Sequence, residues 1–321
     1  MGAGAAGLSL ALMLDGDITI YEKEKEVGGL CRSSRGEVTF DKFGPHILGG
    51  IPEAVDWIVK STGIDFVEGE TNNVGWVDGE FVKHPFENEA LGRQYMTKMW
   101  KADPDVLKLP ALNAQAGRKP GGVPKFRYPK HGGYQAIIDA WEKQLFNQIV
   151  YSIPCYLSQA GSFLRDYDNV VWCAPVPGLH YNTLTTVTLR YAGRRPPYTA
   201  IYLPEDDTPF HRVSFPSVFA PDNSPPGEFT MQGEISGTSS SDVARGYGLA
   251  HLGDLWGFGD PIPGSCQTFE SKYAYPLPDG TKAYFPGIHF HGRSGGHQYL
   301  NLDGVVAASM KLAAELNNGY R

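Results

Sequence analysis

The chain has 321 residues, 41% hydrophobic and 20% charged, enough to bury a substantial core as one large domain or two smaller ones. Its formal net charge of −7 argues against a nucleic-acid backbone as the main partner, but not against a small phosphorylated molecule, because a site can be locally basic. No apolar run approaches the roughly 18 residues of a membrane span. The four cysteines, Cys31, Cys155, Cys173 and Cys266, fit neither a disulfide framework nor a zinc site. The expected setting is cytoplasmic, with a small-molecule substrate and homo-oligomerisation left open.

The chain opens on Gly2-Ala3-Gly4-Ala5-Ala6-Gly7, a G-x-G-x-x-G pattern, followed by a helix-like apolar run from Leu8 to Leu14. A short β-rich run, Asp17 to Glu22, then ends in an acid. In such a pattern Gly2 turns the chain tightly, Gly4 lets the backbone approach a pyrophosphate, and Gly7 lets helix and strand pack closely. A helix N-terminus offers free N–H groups to the phosphate, and Glu22 can accept hydrogen bonds from a ribose diol. Alone the glycine pattern is weak; the strand ending in Glu22 strengthens it. The motif normally follows a buried strand, yet only Met1 precedes Gly2.

Gly28-Gly29 comes next, then a polar loop and strand over residues 32–43. Gly44-Pro45-His46 forms a turn, and its histidine is a candidate site residue. Pro52 to Thr62 reads as a helix, with apolar Ala54, Ile58 and Val59 and Pro52 near its start. Asp78-Gly79 between two apolar runs predicts a hairpin over residues 74–82. One or two helical turns are expected from Tyr95 to Trp100, stopped by Asp103-Pro104. Residues 108–125 lack a period and read as a long loop. Gly132-Gly133-Tyr134 leads into an amphipathic helix from Gln135 to Leu145.

Residues 170–175 contain a buried-strand candidate. Four β-rich runs at 185–191, 199–203, 212–215 and 229–235, separated by Pro, Asp and Asn clusters, predict an antiparallel sheet. A short strand at 287–290, a turn at Gly292-Arg293 and a helix from Asp303-Gly304 to Leu316 close the chain. The expected fold is α/β: a Rossmann-type dinucleotide domain (residues 1–85, 128–180 and 266–321) with an inserted antiparallel substrate domain (181–265) and a small helical and loop segment (86–127).

In combination these blocks resemble the UDP-galactopyranose mutase family, within the FAD-dependent amine oxidase and protoporphyrinogen oxidase superfamily. The similarity is scattered over Gly2–Gly7, Glu22–Gly29, Asp41–His46, Pro85-Phe86, Tyr95–Trp100, Gly132–Tyr134, Phe210–Arg212, Tyr275-Pro276 and residues 292–303. The resemblance implies FAD, held by Gly2, Gly4, Gly7, Glu22, Gly29, Arg293 and Asp303. It also implies a reaction in which reduced flavin attacks a sugar anomeric carbon, displaces UDP, and the sugar recloses in the other ring size. Arg212 matches a diphosphate-binding arginine and His46 a histidine near the flavin. Tyr134, Tyr275 and Tyr299 match phosphate-contacting tyrosines, and Tyr95 and Trp100 match the uridine side. Arg118 is the nearest candidate for a second catalytic arginine, although its flanks do not match. Asp303 also suits a plain helix cap, and Trp100 suits core packing.

The alternative is an FAD-dependent oxidoreductase of the amine oxidase type. Four departures also lead us to expect an incomplete copy of a longer protein: no strand before the glycine motif, a short interval between Gly7 and Glu22, little room between Phe86 and Tyr95, and a compressed stretch from Leu145 to Val170.

Overall fold

The computed structural model describes residues 1–107, 125–237, 239, 241–277 and 279–319. Local chemistry explains the elements nearest the start of the chain. Helix Pro52–Thr62 has proline in its first turn, Glu53 toward its positive end and Lys60 toward its negative end, and it stops at Gly63, whose φ is +64°. Strands Asn73–Val77 and Glu80–Lys83 turn through Asp78 and Gly79 with φ of 50° and 79°, the left-handed pair that a two-residue hairpin turn requires. Helix Glu89–Trp100 is longer than the sequence reading; Asn88 caps it by accepting from the Ala90 and Leu91 N–H groups.

The largest sheet among the described residues has seven strands. Its order is Gln267–Pro276, Tyr181–Ala192, Glu228–Ser236, Arg212–Ser214, Ala200–Tyr202, Asn73–Val77 and Glu80–Lys83. All pairings are antiparallel except that of Ala200–Tyr202 with Asn73–Val77. The four β-rich runs expected between residues 185 and 235 therefore lie in one sheet, which also recruits residues 73–83 and 267–276. Helix Asp242–Leu255 packs against the Tyr181–Ala192 strand. It was not anticipated, because its glycine-rich sequence has little helical amphipathicity.

A second, parallel arrangement lies at the other end. Ile20–Tyr21 pairs with Ile149–Val150, and Val170–Trp172 pairs with Ile288–Phe290. Residues 1–3 join the two pairs. The Gly2 N–H donates to the Tyr21 carbonyl, the Met1 amino group to the Val171 carbonyl, and the Cys173 N–H to the Met1 carbonyl. The central position is thus held by the first residues of the chain, and no other described strand fills it. Helix Ala5–Ala11 starts directly from this position and packs on Gln135–Leu145 and Leu302–Asn318. That last helix begins at Leu302, one residue before the expected start. A core of Leu8, Ile20, Ile58, Ile137, Trp141 and Val306 ties these elements together. A separate core of Val187, Phe210, Phe215, Phe229 and Leu249 fills the large sheet.

Candidate functional site

Two cavities meet between these units. The larger, about 430 Å³, runs along the glycine-rich start of the chain. Gly2, Gly4, Glu22 and Gly29 line it, with Trp172, Cys173, Leu302 and Val305 supplying apolar wall. The backbone dictates its shape. A Cβ on Gly7 would stand 2.0 Å from the Gly2 carbonyl oxygen, so only glycine lets the helix pack this closely on the turn. A Cβ on Gly4 would meet nothing within 4 Å, which leaves clear space above the turn. Gly28 and Gly29 both have positive φ, and Gly28 donates to the Ala3 carbonyl. Glu22 is nearly buried, yet its carboxylate lies on the wall. It accepts from the Ala3 N–H at 2.6 Å and the Glu24 N–H at 3.0 Å, and each oxygen keeps a lone pair for a further donor. A bare glycine turn, an oriented acid and an apolar wall fit a dinucleotide.

The smaller cavity, about 130 Å³, lies under the seven-stranded sheet and is walled by Asn73, Tyr202, Arg212, Glu234, Tyr275 and Tyr299, among others. Phe43, His46, Arg293 and Leu302 line both cavities and form the junction. The Arg293 guanidinium lies 4.5 Å from the Tyr299 ring centre and 5.3 Å from that of Tyr275, a cation–π seat. The His46 ring lies 5.1 Å from that of Tyr134, centre to centre, and the His46 backbone N–H donates to Asp41.

Sheet register builds the charged centre of the smaller cavity. Tyr202, Arg212 and Glu234 are direct neighbours across three strands. Arg212 Nε donates to Glu234 Oε1 at 2.7 Å and a terminal nitrogen to Oε2 at 2.9 Å; the Tyr275 hydroxyl donates to the same carboxylate at 3.2 Å. Burial works to lower the Arg212 pKa, but the Glu234 carboxylate together with the Tyr202 and Tyr95 phenols outweighs it and holds the guanidinium well above its ordinary value. Burial, aided by Glu234, raises the Tyr275 phenol, so it stays a donor. Next door, burial and the Arg212 charge hold His211 well below the ordinary histidine range.

The structure brings Arg212, Tyr275, Tyr299, Arg293 and His46 together at one place. Other predicted site residues lie elsewhere. Tyr95 and Trp100 are core, because helix Glu89–Trp100 turns them inward; Trp100 packs behind Tyr299 and Tyr275 at 5.0 and 5.9 Å. Tyr134 is fully buried against His46 and Tyr128 and is on neither wall. Asp303 is also absent from both walls. Its Oδ2 accepts from the Gly50 and Ile51 N–H groups at 2.7 and 2.9 Å, which clips the last helix to the start of helix Pro52–Thr62. Arg118 and most of the predicted 108–125 loop fall outside the described residues. Glu234, Tyr202, Asn73 and Gly28 were missed. The acid Glu234 inside the β-rich 229–235 run was the one visible signal.

No protein-family model and no curated protein sequence matches the chain. Solved structures do. Reduced UDP-galactopyranose mutase aligns over 100% of this chain and 93% of its own, with a TM-score of 0.79 at 18% identity. Cyclohexylamine oxidase from Brevibacterium oxydans aligns over 99% and 98% with a TM-score of 0.67 at 14% identity. Putrescine oxidase bound to putrescine gives 98%, 97% and 0.63 at 13%. The chain therefore shares its fold with these mutase and amine oxidase structures.

Proposed function

We propose that this chain is an FAD-dependent mutase-type isomerase that interconverts the pyranose and furanose forms of a nucleotide sugar. The observation that carries the reading is the convergence of Arg212, Arg293, Tyr275 and Tyr299 on a cavity that opens at His46 and Arg293 into the dinucleotide-shaped cleft. Charge-assisted and phenolic donors of this kind suit a diphosphate, and two arginines disfavour an ammonium substrate.

In this reading Gly2, Gly4, Gly29 and Glu22 hold the FAD, and Gly7 keeps the turn closed. Reduced flavin, when bound, would supply the nucleophile for the anomeric carbon. Arg293 and His46 would face the junction where sugar meets flavin. Arg212, Tyr275 and Tyr299 would steady the departing diphosphate, so their contribution is positioning and charge stabilisation. Phe43 and Leu302 would keep water from the junction.

The second reading, an FAD-dependent oxidoreductase, draws support from Glu234, which neutralises Arg212 within the cavity wall. The two separate in one experiment. Dithionite-reduced, FAD-loaded protein is incubated with UDP-galactofuranose and the products are resolved by chromatography. The mutase reading expects UDP-galactopyranose from the reduced form and none from the oxidised form. No conversion, with bleaching of the oxidised flavin when an alcohol or amine is added anaerobically to a parallel oxidised sample, would establish the oxidoreductase.

A further inference from the structure

The two groups that the sequence offered as diphosphate ligands on this sheet, Arg212 and Tyr275, both already donate to one internal anion. Glu234 receives two N–H groups from Arg212 at 2.7 and 2.9 Å and the Tyr275 hydroxyl at 3.2 Å. Its side chain is fully buried yet forms part of the wall of the 130 Å³ cavity. Gly44 makes room for it: with φ at +91°, its missing Cβ would stand 3.0 Å from Glu234 Oε2. A carboxylate that accepts a bidentate arginine and a phenol occupies the place of a phosphate in donor terms.

We propose that Glu234 is a charge selector for the substrate cavity, an internal anion that holds Arg212 and Tyr275 in place and that an incoming diphosphate must displace from them. This rests on the nucleotide-sugar reading. A diphosphate brought against these donors stands beside a buried like charge, and its binding must offset that repulsion as well as the hydrogen bonds that Arg212 and Tyr275 give up to reach it. The groups that face Glu234 are Arg212 and His211 from the neighbouring strand segment, Tyr275 from the far strand, and Tyr95 and Tyr202 behind Arg212. His46, Arg293 and Tyr299 complete the wall. His211 Nε2, 3.8 Å from Glu234 Oε2, has no hydrogen-bond partner among the described residues. Burial holds the His211 imidazole neutral, so it adds no positive charge to offset Glu234. A residue that only positioned Arg212 for substrate would act with the opposite sign, since removing its charge would weaken phosphate binding.

The test uses FAD-loaded full-length protein and UDP, with inorganic pyrophosphate as a second probe, in calorimetric titrations at pH 7. Glu234→Gln keeps the shape of the side chain but not its charge. It is expected to bind UDP about tenfold tighter, or more, and UDP should raise its Tm more than it raises that of the wild type. Glu234→Met, uncharged and of similar length, carries the same expectation and keeps the test open if Glu234→Gln does not fold. A folded, uncharged variant that binds UDP no tighter than the wild type overturns the proposal. If neither UDP nor pyrophosphate binds the wild type or the variant, the nucleotide-sugar reading falls, and this proposal with it.

Discussion

The dinucleotide-shaped cleft and the smaller cavity are built in opposite ways. Backbone makes the cleft: glycines that keep side chains away, and a glutamate fixed by two nearby N–H groups. Its key residues fall within the first thirty positions. The cavity is made by side chains brought together from distant parts of the chain, Arg212 to Glu234 by strand register and Tyr275 to Glu234 through its hydroxyl. In the cleft a change fails where backbone touches backbone, as at Gly7. In the cavity each member is the counter-charge or donor of another, so no single residue can be removed quietly.

The largest expected effect is on the cleft side. Purified protein should be yellow with non-covalent FAD, or take up added FAD. Gly7→Val should be colourless, because a Cβ 2.0 Å from the Gly2 carbonyl must push the first helix off its turn. Flavin absorbance after gel filtration reads this directly, and a fully yellow Gly7→Val would break the comparison.

Arg212→Ala comes next and sharpens the contrast from the other side. Flavin content should stay unchanged while turnover falls by about 10²–10³, by analogy with loss of one oxyanion donor. Stability should fall by about 3–5 kcal/mol, because Glu234 is left buried without its partner. Denaturant titration and flavin spectra together test the pair of outcomes; near-wild-type turnover would move the chemistry elsewhere.

The third effect concerns pH. Burial, with the nearby Met1 ammonium second, pushes the His291 imidazole down to about 4, against about 6.5 in an unfolded chain. The folded state therefore prefers neutral His291. Its contribution is fully present above about pH 6.5 and is lost as the pH falls toward 4, by about 3 kcal/mol in total. Nε2 of His291 lies 2.8 Å from the Ser309 hydroxyl, which in turn meets Ser9, so the loss should loosen the last helix from the first. In His291→Gln the acid slope of stability between pH 6.5 and 4 should flatten; an unchanged slope would assign it to other groups.

Asp303→Ala is expected to have the smallest effect. It leaves the Gly50 and Ile51 N–H groups without their acceptor, at a cost of about 1–3 kcal/mol. Flavin affinity should be near normal, because Asp303 lies on neither cavity wall. A large loss of FAD would return Asp303 to the cofactor.

What could be read from the sequence follows from these different constructions. Helices Pro52–Thr62 and Gln135–Leu145, the Asp78-Gly79 hairpin and the Gly2–Glu22 motif were legible because local φ preferences, caps and hydrophobic period decide them. Helix Asp242–Leu255 was not legible, since its glycines hide the period and its place is set by packing on the sheet. The motif-matched tyrosines show the limit most clearly. Tyr275 and Tyr299 reach the cavity, whereas Tyr134 lies in the core beside His46, and spacing alone does not distinguish them.

The sequence by itself determined the turn, the space at Gly4 and the acid that orients toward them, because each is a property of a few consecutive residues. Only the tertiary structure decided that residues 1–3 hold the central position between two parallel pairs, and that Asp303 serves two backbone N–H groups. It also decided that Arg212 meets the cavity already paired with Glu234. That pairing depends on which strands lie side by side and in what register, and a one-residue slip would turn Glu234 to the other face of the sheet.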